Sequence, residues 1–280
     1  MTLDWKLSDP KLSKSLQRIF ANKKIPYDNP GFCDHPAFLA EERNNPRFLE
    51  AYALYIETKK YTPEYLASAK HKIQVATEII HRALEEDERR GACIDISMIL
   101  SRILERLSVW NYIAKTTLTI TFPDGCGLVP QYFWGVDEGA FDAPHAIVVA
   151  PPFGIIDISV KHQPYNANQS KFLPTYVLTT DFERARYSID DIVSPVASEH
   201  LRSYGLTPAE FIRQQRPSIL EVANNLPSRS INYSGTVLKY VIIAVTGVVE
   251  SLENMNGYKP AGKTAMELYE REILPALERK

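Results

Sequence analysis

The sequence predicts an α+β fold, with an antiparallel sheet in the middle of the chain and helices on both sides of it. Helical periodicity dominates roughly the first hundred of the 280 residues and returns beyond residue 190. Runs rich in aromatic and β-branched residues, which favour strands, fall between residues 110 and 180. Because helices and strands are segregated along the chain, an α+β architecture is favoured over an alternating α/β one.

The composition is that of a soluble globular protein, with 45% hydrophobic and 24% charged residues. The formal net charge is −2 and no block of like charge stands out, so nucleic-acid binding is not expected. The three cysteines form no recognisable disulfide framework, which favours a reducing, cytoplasmic location. The first ten residues lack the apolar core of a signal peptide, and the most apolar run, 237–249, is too short to span a membrane.

Three pairs of a capping residue and a proline predict the N-terminal helices. A side chain that accepts a hydrogen bond from the first turn, followed by proline, is a common way to begin a helix. The pairs are Asp9-Pro10, Asn45-Pro46 and Thr62-Pro63, which predict helices over about residues 10–21, 46–59 and 63–90. Gly91 is a natural end for the third helix, because glycine readily adopts the left-handed backbone found just after helices.

The middle of the chain combines one further helix with the predicted sheet. Residues 94–107 carry a broad apolar stripe at helical spacing, which indicates a helix buried against a sheet. The predicted strands cover residues 110–122, 128–134, 145–150, 155–160 and 176–180. Residues 151–154, Pro-Pro-Phe-Gly, are predicted to join the third and fourth strands as a hairpin.

The C-terminal region is again predicted to be helical. Thr207 with Glu210, and Thr264 with Glu267, fit the capping box that opens many helices. Residues 237–249 are interpreted as a buried core helix, although their many β-branched side chains leave a pair of core strands open as the alternative.

Cys93 is the candidate nucleophile of the chain. It follows Gly91 by two residues and stands at the start of a predicted helix. The positive end of the helix dipole and the free N–H groups of the first turn favour a thiolate, which is the nucleophilic form of cysteine. The alternative is an inert core cysteine, since free cysteines are among the most buried residue types.

His145 and Asp157 are the partners that a thiol nucleophile needs. His145 begins one predicted strand and Asp157 lies in the next, so a hairpin can bring them onto neighbouring strands. Asp157 would then orient the imidazole, while His145 takes the proton from Cys93 and later returns it to a leaving group. The backbone N–H of Cys93 would stabilise the oxyanion. The strand register, on which this meeting depends, cannot be fixed from the sequence.

This order of residues resembles the transglutaminase-like superfamily of papain-related thiol enzymes, which includes transglutaminase-like peptidases and arylamine N-acetyltransferases. The matching segments are Gly91-Ala92-Cys93, Pro144-His145-Ala146 and Ile156-Asp157-Ile158-Ser159, within about residues 75–180. The resemblance implies Cys93 as nucleophile, His145 as general base and acid, and Asp157 as orienting carboxylate. It also implies a transglutaminase-like catalytic core at 75–190, between an N-terminal helical region at 1–74 and a C-terminal helical region at 191–280 packed on the core.

Two features depart from the family pattern. Ile147 stands where many members carry an aromatic residue two places after the histidine. No side chain can be assigned as a second donor to the oxyanion, and His71, Gln74 and Gln131 are the candidates.

The activity that the resemblance implies is acyl transfer through a Cys93 thioester, with a peptidase or amidase favoured because water is always present as acceptor. The alternatives are a transglutaminase, an acyl-CoA-dependent N-acyltransferase, and a catalytically silent binding module of the same fold. The expected partner is a protein or peptide substrate, with a further protein partner on the helical flanks and no nucleic acid or membrane. The chemistry implies no metal and no organic cofactor.

The remaining candidate residues have simpler interpretations. Cys33, Asp34 and His35 are adjacent but too few for a recognisable metal motif. Cys126 is interpreted as a hairpin-end cysteine and His81 as a surface or packing residue. His162 ranks second to His145 as the base, because it lies beyond the predicted strand.

Overall fold

A computed structural model describes residues 4–137, 144–166 and 168–279 of the chain. Its α-helices are α1 (Pro10–Asn22), α2 (Pro36–Asn44), α3 (Leu49–Thr58), α4 (Pro63–Asp87), α5 (Cys93–Arg106), α6 (Pro195–Ser203), α7 (Pro208–Gln215), α8 (Pro217–Asn225), α9 (Ala265–Leu268) and α10 (Leu274–Glu278). Its strands are β1 (Tyr112–Thr121), β2 (Gln131–Phe133), β3 (His145–Ala150), β4 (Phe153–Asp157), β5 (Val177–Thr179), β6 (Glu183–Arg184), β7 (Arg229–Tyr233) and β8 (Thr236–Thr246). The predicted α+β class is confirmed.

The strands form one antiparallel sheet in the order β5-β4-β3-β1-β8-β7-β6, and β2 also pairs with β1. β5 and β6 are consecutive in the chain, yet they lie at opposite edges of this sheet. Since residues 180–182 alone connect them, the sheet must curl until its two edges approach each other. The ends of β3 and β4, which carry His145 and Asp157, lie on one half of this curled sheet.

The prediction of a buried helix over residues 237–249 is wrong, because this segment forms β8. β8 pairs with β1 from Thr246 opposite Ile113 to Val237 opposite Thr121. The interior of β8 is buried on both faces, so its apolar residues form a continuous run instead of an alternating one. Periodicity cannot distinguish such a run from a buried helix. The predicted C-terminal helical region therefore contributes two strands, β7 and β8, to the common sheet.

The predicted helix starts form as hydrogen-bonded caps. The Asp9 carboxylate accepts hydrogen bonds from the backbone N–H groups of Lys11 and Leu12, at 3.0 and 3.1 Å. Thr62 caps α4 in the same way, and both predicted capping boxes, at Thr207 and Thr264, are present. Asn45 caps a short 3-10 turn that leads into α3. These local signals were correct because a cap depends on residues within one turn of each other.

The sheet separates two cores. Ala146 and Val148 of β3 pack on one side with apolar residues of α4 and α5, such as Ile80 and Ile96. The alternate residues of the same strand pack on the other side, in a cluster that includes aromatic side chains of α1 and α3. A third cluster joins α6 and α8 to the outer face of β8. The position of α5 across the sheet places its first residue, Cys93, near the beginning of β3.

Among the helices of the described ranges, none is both long and apolar enough to cross a bilayer.

Candidate active site

Cys93 is the first residue of α5, one position earlier than predicted. Gly91 has a left-handed backbone, with φ of 70°, and its N–H donates a hydrogen bond to the carbonyl of His162 at 2.8 Å. This bond fixes the segment that enters the helix against the loop after β4. The N–H groups of a first helical turn have no partner within the helix, so those beside Cys93 are available as donors.

His145 and Asp157 meet through the register of β3 and β4. Val148 lies opposite Ile156, so Asp157 lies opposite Ile147, one diagonal step from His145 on the same face. Nε2 of His145 is 2.5 Å from Oδ2 of Asp157, and each residue is only 1% exposed. The structure thus brings together the two residues whose contact depended on the unknown register.

Two residues that sequence reasoning missed hold the Asp157 carboxylate in place. The Tyr240 hydroxyl donates a hydrogen bond to Oδ2 at 3.0 Å, and the Ser159 backbone N–H donates one to Oδ1 at 3.1 Å. The Ser159 hydroxyl adds a longer bond to Oδ1 at 3.4 Å. Tyr240 lies in β8, so its role was hidden by the prediction of a helix there. Ser159 lies two residues after Asp157, and an aspartate side chain in a turn commonly accepts a hydrogen bond from the backbone N–H two residues later. This local pattern could have identified Ser159 from the sequence.

Cys93 and His145 shift each other's protonation. Burial raises the pKa of the Cys93 thiol, but the neighbouring His145 lowers it by more, so the net pKa is below the ordinary value. Burial lowers the pKa of His145, but the Asp157 carboxylate and Cys93 raise it by more, to about 10. Together these shifts favour the thiolate–imidazolium ion pair over the neutral thiol–imidazole pair.

The interaction between thiol and imidazole combines a hydrogen bond and charge, and the hydrogen bond is the larger of the two causes by which His145 lowers the pKa of Cys93. Nε2 of His145 is engaged by Asp157, and Nδ1 has no hydrogen-bond partner of regular geometry among the described residues. Catalytic hydrogen bonds are often long before substrate binds, so this geometry is compatible with proton transfer through Nδ1. The backbone N–H of Ala146 also interacts with the Cys93 sulfur and lowers its pKa further.

Aromatic side chains surround the imidazole. The rings of Phe133 and Tyr240 lie 6.1 and 6.3 Å from that of His145, and Tyr165 packs edge-on against Phe133. Tyr165 also lines an open cavity of about 590 Å³, together with charged residues of both signs such as Glu88 and Lys161. Cys93 itself is 9% exposed, so the thiol is largely covered. Burial raises the pKa of the Tyr165 hydroxyl, and Cys93 lies near enough to raise it further.

Two of the three candidates for a second oxyanion donor, His71 and Gln74, lie far from Cys93. Lys72 of α4 donates a hydrogen bond to the carbonyl of Leu107, so this part of α4 lies at the end of α5 opposite Cys93. His71 and Gln74 are therefore about 20 Å away, from the 1.5 Å rise of each residue in α5. The Gln131 amide is bonded to the Tyr132 carbonyl and to Gln169.

The other candidate residues occupy separate positions. Burial raises the pKa of Cys33 well above its ordinary value. Asp34 pairs with Arg102, and His35 caps α2 by accepting a hydrogen bond from the Ala37 N–H. Cys126 is half-buried and free. None of these residues lies in the arrangement around Cys93.

His162 packs against His81 rather than replacing His145 as the base, with the two ring centres 5.8 Å apart. With Glu85 they form a group whose ligating atoms all lie within 4.8 Å of one another, a separation at which a metal ion could be held. Sequence reasoning did not group them, because 77 residues separate His162 from Glu85 along the chain.

Comparison of the sequence with protein-family models and with curated proteins, and of the fold with solved structures, finds no match.

Proposed function

We propose that the protein is a thiol-dependent acyl-transfer enzyme, most simply a cysteine peptidase or amidase with a transglutaminase-like core. The observation that carries this proposal is the convergence of Cys93, His145 and Asp157, in which the imidazole lowers the pKa of the thiol. A buried cysteine in an inert core would have a raised pKa, as Cys33 does.

In the first step of the proposed reaction, the Cys93 thiolate attacks the carbonyl carbon of an amide and a C–S bond forms. Donors of the first turn of α5 stabilise the oxyanion that develops on the carbonyl oxygen. The His145 imidazolium then gives its proton to the amide nitrogen, the C–N bond breaks, and the amine leaves. This leaves an acyl group on Cys93 as a thioester and His145 as a neutral imidazole.

In the second step, neutral His145 takes a proton from water, whose oxygen attacks the thioester. The C–S bond breaks, the carboxylic acid leaves, and the thiolate–imidazolium pair is restored. An amine in place of water would give a transglutaminase or N-acyltransferase by the same route. Throughout, Asp157 holds the imidazole by its Nε2 atom, which leaves Nδ1 as the nitrogen that carries the transferred proton in this proposal.

A second candidate function is a catalytically silent protein-binding module. The observation that favours it is the burial of the site, since Cys93 is 9% exposed and His145 is 1% exposed. Under this alternative the charged cavity beside Tyr165 and the helical flanks would serve a protein partner.

Trapping of an acyl-enzyme separates the two candidates. The intact protein is treated with p-nitrophenyl acetate, a small activated acyl donor that needs little room, and the acetylated residue is identified by peptide mass spectrometry. The enzyme proposal predicts rapid acetylation of Cys93, loss of that acetyl group to water, and neither event in His145→Ala. Acetylation of Cys93 no faster than that of the half-buried Cys126 would contradict it and favour the silent module.

A further inference from the structure

We propose that His81, Glu85 and His162 form a binding site for one divalent transition-metal ion, with Zn²⁺ as the expected occupant. His81 and Glu85 lie one turn apart on α4, where residues four apart share a face. His162 ends the short 3-10 turn Val160–His162 that follows β4. This site is separate from the thiol chemistry proposed above and does not depend on it.

The distances suit a site that closes around an ion. Nδ1 of His81 lies 3.7 Å from Oε2 of Glu85, and ligating atoms of all three residues lie within 4.8 Å of one another. With Zn–N and Zn–O bonds of about 2.1 Å, tetrahedral ligand atoms are roughly 3.4 Å apart. Movements of about 1 Å, within the reach of small side-chain rotations, would complete the site.

One ring nitrogen of each histidine is buried without a hydrogen-bond partner within the described ranges. Nε2 of His81 and Nε2 of His162 are buried and have no hydrogen-bond partner among the described residues. His81 is 5% exposed, and a buried polar group without a partner is costly unless a ligand or ion satisfies it.

The charges around the site are of both signs. The nearby Lys161 carries a positive charge that opposes a cation. Glu85, whose side chain is 53% exposed, is the ligand best placed to offset that charge.

The site has an entry route and a structural consequence. Glu85 and His162 line the open cavity of about 590 Å³, through which an ion can arrive. The His162 carbonyl accepts from the Gly91 N–H, and the His162 N–H donates to the Ser159 carbonyl, at 2.8 and 2.9 Å. An ion bound here would therefore fasten α4 to the turn that supports both the start of α5 and the loop after Asp157.

The test is a titration of metal-free, full-length protein in a Cys93→Ala background, which prevents the thiolate from binding the ion. Co²⁺ reports its coordination through its visible absorption, and Zn²⁺ affinity follows from competition with a chromophoric chelator. The ligand variants are His162→Gln and Glu85→Gln. Their matched controls are His71→Gln, a half-buried histidine on the same helix, and Glu88→Gln, a carboxylate that lines the same cavity.

We expect one ion per chain, a rise in the melting temperature on Zn²⁺ addition, and affinity at least about tenfold weaker in both ligand variants but not in the controls. Absence of saturable binding, or equal affinity in ligand and control variants, would overturn the proposal. If His162→Gln disturbs folding, Glu85→Gln decides the matter, because its exposed side chain can be changed without opening the core.

Discussion

The imidazole of His145 and the carboxylate of Asp157 form a buried pair, with Nε2 and Oδ2 2.5 Å apart and each residue 1% exposed. The pair lies at the paired ends of two adjacent strands, and Cys93 approaches it from the start of α5. Because water is excluded, the charge of Asp157 acts strongly on the imidazole, and the imidazole in turn acts strongly on the thiol. The chemical character of Cys93 is thus set by residues 52 and 64 positions away in the chain.

Removal of the imidazole should move the alkylation of Cys93 to higher pH. In the wild type, His145 outweighs burial and lowers the pKa of Cys93, whereas in His145→Ala burial remains and raises it. Since one pKa unit is a tenfold change in thiolate, we expect labelling by iodoacetamide at about pH 7 to fall at least tenfold. Peptide mass spectrometry measures the rate, with Cys126 as internal control. An unchanged pH profile would show that Cys93 is not coupled to His145.

Replacement of Asp157 by asparagine should be more damaging than its similar shape suggests. Oδ2 accepts from His145 and Tyr240, while Oδ1 accepts from the N–H of Ser159. A carboxamide has one acceptor oxygen, so in either orientation its NH₂ group faces donors. We expect Asp157→Asn to lower the free energy of unfolding by about 2–4 kcal/mol, and Tyr240→Phe, which removes one donor, by about 1 kcal/mol.

Urea unfolding of the two variants measures this difference. A smaller loss in Asp157→Asn than in Tyr240→Phe would mean that the carboxylate is not held from both oxygens. The same variants should rank in the same order in Cys93 alkylation at about pH 7, because only Asp157→Asn removes the charge that raises the pKa of His145.

The titration of His145 should make stability depend on pH in the Cys93→Ala variant. The folded-state pKa of His145 is raised by Asp157, so its stabilising effect is complete below the unfolded value of about 6.5 and is lost as pH rises toward the folded value. We expect the free energy of unfolding to fall with pH above about 6.5, by at most about 1.4 kcal/mol per pH unit. Urea unfolding at several pH values measures the slope. The slope of the Cys93→Ala/His145→Gln variant gives the contribution of all other titrating groups, which is subtracted.

In the wild type this slope should be smaller. The folded-state pKa of Cys93 is lowered, so its stabilising effect is present above the unfolded value of about 8.5 and is lost as pH falls. Between the lowered folded-state pKa of Cys93 and its unfolded value of about 8.5, the contributions of Cys93 and His145 have opposite slopes and offset each other. Equal slopes in the wild type and Cys93→Ala would show that the thiol and the imidazole do not titrate as a pair.

Arg229 and Glu57 form a buried ion pair that should be sensitive to loss of one partner. Arg229 is fully buried and donates hydrogen bonds to Glu57 and to the Gly154 carbonyl in the hairpin between β3 and β4. The Tyr112 hydroxyl also donates to Glu57 at 2.5 Å. We expect Arg229→Met to cost about 3–5 kcal/mol, because it leaves the Glu57 charge buried without its partner.

The double variant Arg229→Met/Glu57→Leu should be less destabilised than Arg229→Met alone, since it removes the stranded charge as well. Arg106→Met is the control, because Arg106 and Glu253 form an exposed pair whose loss should cost less than about 1 kcal/mol. Chemical unfolding of all four proteins, including the wild type, tests this order. A free energy of unfolding that is lower in the double variant than in Arg229→Met would mean that packing, rather than charge, dominates at this position.

Local features of the fold were predictable from the sequence because their causes are local. Asp9, Thr62 and the two capping boxes each satisfy N–H groups within three residues, and the structure contains all of them. The strand β1 and the hairpin of β3 and β4 were also predicted, since their aromatic and β-branched residues are bounded by turn residues. The position of Cys93 at a helix start followed from the same kind of signal.

Other features depended on the tertiary structure because they arise from contacts between distant segments. Residues 236–246 form a strand because β1 pairs with them along nearly their whole length. Their apolar run alone fits a buried helix equally well. The register of β3 and β4 decided that His145 meets Asp157, and β8 supplied Tyr240. The sequence by itself determined which reactive side chains exist and where helices begin. Strand pairing and burial decided which of these side chains meet, and so which of them share a proton.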